Sequence, residues 1–244
     1  MPQLRRAAGH ARPGRGGGDA VEFAKNRSGG KMTTIAELRA CLAETPILPV
    51  MAIKDAAEGH ADIDGLVAAG APVIEILFRT PEAPAVLKAA KARHPRCLFG
   101  AGTMLLASHV RLAVDAGADF TVSPGLTPAL QALVAASGLP HIPGVQTASE
   151  TMQACEYGYT LMKYYPSEAS NGPAVLADYA NIFEGVGFVT TGGIDTSLLP
   201  AYGAVRNIVA VGGSWMLPSR HTPGSPCLMQ QATIFKAARE AAEG

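Results

Sequence analysis

Residues 97–123 read CLFGAGTMLLASHVRLAVDAGADFTVS, and this stretch holds one full unit of the pattern that decides the fold. A short apolar run (97–101) leads into a segment with helical period (107–116), then Gly117, then a second apolar run (119–123). Apolar residues three and four apart mark the helix, and a run of four to eight marks a buried strand. Working outward, the same grammar recurs along the chain. Eight apolar runs lie at 47–53, 73–78, 97–101, 119–123, 139–143, 160–164, 186–190 and 207–211, their starts 20 to 26 residues apart. Helical stretches fall between them at 62–69, 82–93, 107–116, 127–136 and 148–156. Gly70, Gly117, Gly138, Gly158 and Gly203 each follow such a stretch, where glycine supplies the left-handed residue that ends a helix. Thr34 and Glu37 have capping-box spacing and open a short helix ahead of the first run. Eight strands alternating with helices imply parallel pairing, and eight units of this size suit a closed (β/α)8 TIM barrel with a short N-terminal helix. An open doubly wound sheet is the alternative, but no G-x-G-x-x-G follows the first run.

The chain has 244 residues, 48% hydrophobic and only 6% aromatic, so one barrel with an aliphatic core accounts for its length. This composition excludes wholesale disorder, a collagen repeat and a disulfide scaffold. No apolar run approaches the ~20 residues of a membrane-spanning helix, so no membrane role is expected. Cys41, Cys97, Cys155 and Cys227 are far apart and read as reduced thiols of a cytoplasmic protein. The net charge of zero hides an asymmetry. Residues 1–31 carry seven basic against two acidic side chains, leaving the remainder at −5, which argues against nucleic acid as a partner. Residues 1–31 are Arg- and Gly-rich without hydrophobic period, and are expected to be a disordered extension or a start-site artefact ahead of a domain spanning 32–244.

In such barrels chemistry sits at the C-terminal ends of the strands. The second run reads Val73-Ile-Glu75-Ile-Leu-Phe-Arg79-Thr80, and period two puts Glu75 with Val73 and Leu77. Glu75 is expected to point into the barrel, with Arg79 at its rim; the alternative is a structural Glu–Arg pair. Of the five lysines beyond residue 31, Lys88, Lys91 and Lys236 lie in helical stretches and read as solvated, and Lys54 as a surface or helix-start residue. Lys163 differs, because it stands inside the sixth run among apolar and aromatic residues. Burial disfavours the charged form of an amine, which is what a nucleophilic lysine requires, although a snorkelling lysine fits the same pattern. The histidines at 10, 60, 94, 109, 141 and 221 show no metal-binding spacing, so no metal or other cofactor is expected.

Two glycine pairs close the chain: Thr191-Gly192-Gly193 after the seventh run and Gly212-Gly213-Ser214 after the eighth. Those two loops form the recurrent phosphate site of barrels, and glycine lets backbone N–H groups approach an anion. Gly100-Ala-Gly102-Thr103 after the third run offers a tight turn and a hydroxyl.

Taken in order, these segments resemble the 2-keto-3-deoxy-6-phosphogluconate (KDPG) and 4-hydroxy-2-oxoglutarate (KHG) aldolases, class I pyruvate aldolases; KDPG aldolase belongs to the Entner–Doudoroff pathway. The resemblance runs from Thr34 to Ala238. It rests on Ile74-Glu75-Ile-Leu-Phe-Arg79-Thr80, Gly100-Ala-Gly102-Thr103, Ser123-Pro124-Gly125, Ile142-Pro143-Gly144-Val145, Met162-Lys163-Tyr-Tyr-Pro166-Ser-Glu168, Thr191-Gly-Gly-Ile194 and Gly212-Gly-Ser-Trp215. It implies that Lys163 forms the Schiff base and Glu75 is the acid/base. It implies that Arg79 and Thr103 meet the substrate carboxylate, that Pro124 shapes the nearby wall, and that Thr191, Gly192, Gly193, Gly212, Gly213 and Ser214 hold the distal phosphate. A phosphorylated 2-oxo acid substrate, a homotrimer and no metal are likewise implied. Thr190, the pair Tyr164-Tyr165 and Ile47 depart from the family residues, which are commonly proline and Phe-Phe and, in some members, a basic residue early in the first strand; the last departure weighs against tight phosphate binding. A 4-hydroxy-2-oxoglutarate aldolase and the galactonate-derived epimer's aldolase are the alternatives.

Overall fold

The computed structural model describes residues 33–220 and 224–244; the expected extension over 1–31 lies outside them. Strands β1 (Ile47–Ala52), β2 (Val73–Leu77), β3 (Leu98–Gly102), β4 (Phe120–Val122) and β5 (His141–Ile142) are followed by β6 (Gly144–Val145), β7 (Leu161–Tyr164), β8 (Gly187–Thr191) and β9 (Ile208–Gly213). The α-helices of the described residues are α1 (Ile35–Glu44), α2 (Ala56–Ala68), α3 (Ala83–Arg93), α4 (Ala107–Asp115), α5 (Pro128–Ser137), α6 (Ala148–Glu156), α7 (Gly172–Ile182), α8 (Leu199–Gly203) and α9 (Leu228–Glu243). All pairings are parallel, in the order β5-β4-β3-β2-β1-β9-β8-β7-β6.

The sheet closes because its two ends are one stretch of chain. β5 pairs with β4 and β6 pairs with β7, with only Pro143 between them. Proline has no N–H for a ladder, which divides the strand there. Its carbonyl still accepts from the Lys163 N–H at 2.8 Å. The molecule is therefore an eight-stranded (β/α) barrel with one strand in two pieces. The fifth strand runs on to Val145, two residues past the boundary expected at Pro143.

Two apolar layers follow from strand alternation. Leu48, Val73, Phe120, Val122, Ile142, Leu161, Val189 and Ala210 fill the barrel interior. Residues such as Ile74, Ile76, Phe99, Met162, Phe188 and Val211 pack outward beneath the helices. Leu38 and Leu42 of α1 join the interior set, so α1 stoppers the N-terminal opening of the barrel. That helix starts where expected: Thr34 Oγ1 accepts from the Glu37 N–H at 3.1 Å, and the Glu37 carboxylate accepts from the Thr34 N–H at 2.9 Å. Each of these two leucines contributes about 1.5–3 kcal/mol by burial.

Three readings are corrected. Lys91 is not simply solvated: its ammonium meets the Asp119 carboxylate at 2.5 Å and donates to Gly117 O at 2.6 Å. Asp119 in turn accepts from the Phe99 N–H, so the pair staples α3 to the entry of β4. Gly203 is absent from the glycines of positive φ; a Cβ there would overlap the Phe235 carbonyl, so it serves the close approach of α9 instead. The turn expected at Gly100–Gly102 is strand, and the left-handed residue is the next one, Thr103 (φ 67°).

Candidate active site

Strand alternation aims Glu75 and Lys163 into the barrel, because Val73 and Leu161, two residues before each, already belong to the interior layer. Glu75 is fully buried and Lys163 only 8% exposed. Lys163 Nζ stands 3.4 Å from Glu75 Oε1, a long contact that a small movement breaks. Glu75 Oε2 is buried with no partner among the described residues. A buried carboxylate half left unpaired costs stability, and such costs are typically retained at functional sites. The Glu–Lys pair thus replaces the Glu–Arg pair left open by the sequence. Room for the carboxylate comes from Gly102, where a Cβ would overlap Glu75 Oε1 and meet Leu77 Cδ2 at 2.7 Å. The Tyr165 ring lies 5.6 Å from Lys163 Nζ and forms a partly exposed wall beside it.

The remaining candidates surround this pair at or beyond the strand C-termini. Arg79 follows β2 and donates from Nε to Thr103 Oγ1 at 3.0 Å. This leaves its two terminal nitrogens, which suit a carboxylate bidentately, without a partner among the described residues. Thr103 is held in the left-handed region, strain of order 1 kcal/mol for a β-branched residue. Pro124 follows β4, and its turn is fastened from behind. Ser123 Oγ donates to Gly125 O at 2.6 Å and contacts His141 Nε2 at 3.0 Å, while His141 Nδ1 meets Thr121 Oγ1 at 2.9 Å. Burial without a countercharge pushes the His141 imidazole down to about 3, so it is neutral in the fold.

Thr191 ends β8 with its hydroxyl oxygen buried and unpaired among the described residues. Gly192 and Gly193 follow at φ 100° and 82°, a conformation L side chains rarely adopt. They are braced by the loop after β7: Ser167 N–H donates to Thr191 O at 2.9 Å and Glu168 N–H to Gly192 O at 3.0 Å. Tyr202 OH donates in turn to Glu168 Oε1 at 2.5 Å. Gly212 and Gly213 close β9, paired with Leu48 and Pro49 of β1, and Ser214 follows. The N–H groups of Gly192, Gly193 and Ser214 have no acceptor among the described residues. The catalytic and substrate-binding candidates named from the sequence therefore lie around one mouth of the barrel.

Sequence reasoning missed two further groups here. Tyr165 carried no signal beyond its place next to the lysine. Arg220 was passed over because an isolated arginine in a loop forms no motif, yet its Nη1 donates to Ser214 Oγ at 2.6 Å.

Residues 38–224 match the family model described as KDPG and KHG aldolase. This chain belongs to that family. The KHG/KDPG aldolase of Escherichia coli is 35% identical over 199 residues, which span 82% of this chain and 92% of that protein. Among solved structures, the KDPG aldolase of Legionella pneumophila with pyruvate captured as a covalent carbinolamine is similar at TM-score 0.71 and 32% identity, covering 83% of this chain and 96% of that one. The 2-keto-3-deoxy-6-phosphogluconate aldolase of Zymomonas mobilis with 3-phosphoglycerate is similar at TM-score 0.71 and 33% identity, covering 84% and 96%. As a member of the KDPG and KHG aldolase family the chain is a carbon–carbon lyase of the class I pyruvate aldolase type.

Proposed function

We propose that this aldolase cleaves 2-dehydro-3-deoxy-6-phosphogluconate to pyruvate and glyceraldehyde 3-phosphate through an imine on Lys163. The observation that carries the reading is the buried Lys163–Glu75 pair, in one mouth with N–H groups at Gly192, Gly193 and Ser214 that have no acceptor among the described residues. Lys163 passes its ammonium proton to Glu75, and the freed Nζ attacks the C2 ketone to give a carbinolamine. Glu75 passes a proton to its hydroxyl, water leaves, and a protonated imine remains. Glu75, again a carboxylate, removes the C4 hydroxyl proton. The C3–C4 bond breaks, its electron pair moves toward the imine nitrogen, and the aldehyde departs. Glu75 returns the proton to C3 of the enamine, and water hydrolyses the imine to release pyruvate and free Lys163.

Arg79 pairs with the C1 carboxylate while Thr103 fixes its guanidinium, and Pro124 forms the wall beside that end. The N–H groups of Gly192, Gly193 and Ser214 receive the distal phosphate, with Thr191, Gly212 and Gly213 shaping the loops that carry them. The E. coli relative's name joins KHG to KDPG, so cleavage of 4-hydroxy-2-oxoglutarate by the same imine is the second reading. The experiment is kcat/KM for both substrates. The first reading expects KDPG to be preferred by at least about tenfold, the worth of one charge-assisted hydrogen bond or more; equal values favour the second. The C4 epimer derived from galactonate is included in the same assay.

We further propose a homotrimer in the cytoplasm. Leu105 and Leu106, both more than half exposed in the loop after β3, support burial by another copy. The four cysteines are free, as suits a reducing compartment. Among the described residues no helix is long and apolar enough to cross a membrane. Light scattering on the eluted protein checks the assembly, a mass of three chains being the expected result.

A further inference from the structure

A phosphate dianion gains from a fixed cation as well as from neutral N–H donors. Arg79 and Lys163 are committed in the proposed reading to the carboxylate and the imine. Arg220 is the basic side chain in contact with the loop after β9, and its guanidinium faces no carboxylate among the described residues. Its place is built rather than incidental. The turn Pro218–Arg220 is tied down by Asp62 of α2, a buried carboxylate that accepts from Ser219 N–H and Ser219 Oγ, each at 2.7 Å. Pro218 packs against Gly65 of the same helix, where a Cβ would approach Pro218 Cγ to 2.7 Å. A buried aspartate thus holds the turn, and the turn holds Arg220 against Ser214.

We propose that Arg220 is the cationic ligand of the substrate's distal phosphate and the residue that sets preference for phosphorylated over unphosphorylated 2-oxo acids. The inference rests on the phosphate reading of the Gly192–Gly193 and Gly213–Ser214 loops. The Nη1–Oγ bond has a specific use: with its oxygen accepting from Arg220, the Ser214 hydroxyl proton is free to point to the anion. The remaining guanidinium nitrogens then bind the same phosphate.

The test measures the ratio of kcat/KM for KDPG to that for KHG in the wild type, Arg220→Gln, Arg220→Lys and Lys54→Gln. Borohydride trapping of pyruvate in each variant reports a folded imine site. Arg220→Gln is expected to lower the ratio roughly ten- to a hundredfold through KM for KDPG, Arg220→Lys to recover part of it, and Lys54→Gln to leave it within twofold. A wild-type ratio near one overturns the phosphate reading and this inference with it. A high wild-type ratio that Arg220→Gln does not change, or that Lys54→Gln lowers instead, overturns this inference alone.

Discussion

The two ends of the barrel are built from the same strands to opposite standards. At the N-terminal end Leu38 and Leu42 press into an interior of Leu48, Val73, Phe120 and Leu161. There Arg39 spends its guanidinium on the carbonyls of Thr160 and Gly185, at 3.2 and 3.1 Å. At the C-terminal mouth Glu75 Oε2 and Thr191 Oγ1 are buried without partners among the described residues, three N–H groups have no acceptor among them, and Thr103 holds a strained backbone. Unsatisfied polar atoms cost stability wherever they are buried. The mouth combines such orphans with a strained backbone and open N–H groups, and draws for its chemistry on stability that the closed end supplies, although Asn207 Oδ1 at the start of β9 is also unpaired among the described residues.

The sharpest way to break that division is to neutralise the mouth's carboxylate. Glu75→Gln keeps shape but moves no protons, and kcat for KDPG cleavage is expected to fall ~10²–10⁴-fold while the fold stays intact. Steady-state kinetics checks this, and activity within threefold of wild type would assign the proton transfers elsewhere.

Gly102→Ala is subtler, since it adds one methyl where Glu75 Oε1 sits. Displacing a catalytic group by about 1 Å costs on the order of 10²-fold, and the loss is expected in kcat rather than in thermal stability. The converse experiment addresses the closed end. Leu42→Ala removes a fully buried side chain far from the mouth, at an expected cost of about 2–5 kcal/mol in urea unfolding, with kcat within twofold. A large loss of kcat at full stability in that variant would erase the distinction between the ends.

These experiments also mark how far the sequence could be read. The eight runs and their helices were legible because alternation and helical period are local properties. Lys163 stood out because a lysine inside an apolar run has few uses, and Glu75 because its strand neighbours are apolar. The glycine pairs were legible through their positions after the last two strands. What was not legible depended on contacts between distant segments. Gly102 looked like a turn residue, but its role is clearance for a carboxylate on the neighbouring strand. Lys91 looked solvated until Asp119, 28 residues on, came within reach. Arg220 means little until Asp62, 157 positions before Ser219, fastens its turn.

The smallest expected effect concerns the turn that carries Pro124. Unfolded, the His141 imidazole takes up a proton as pH falls through 6.5, whereas folded it stays neutral down to about 3. Stability is therefore lost as pH falls below 6.5, by up to about 1.4 kcal/mol per pH unit from this residue. Urea unfolding of wild type and His141→Leu across this range should show a shallower slope for the variant. Parallel slopes would mean that His141 titrates alike in both states.

The central claim, that Lys163 is the nucleophile of the mouth, is tested most directly by intact-protein mass after incubation with pyruvate and borohydride. One reduced pyruvyl adduct per chain is expected, mapping to Lys163 on peptide analysis and absent from Lys163→Ala. An adduct on Lys54, or one that persists in Lys163→Ala, would contradict the account.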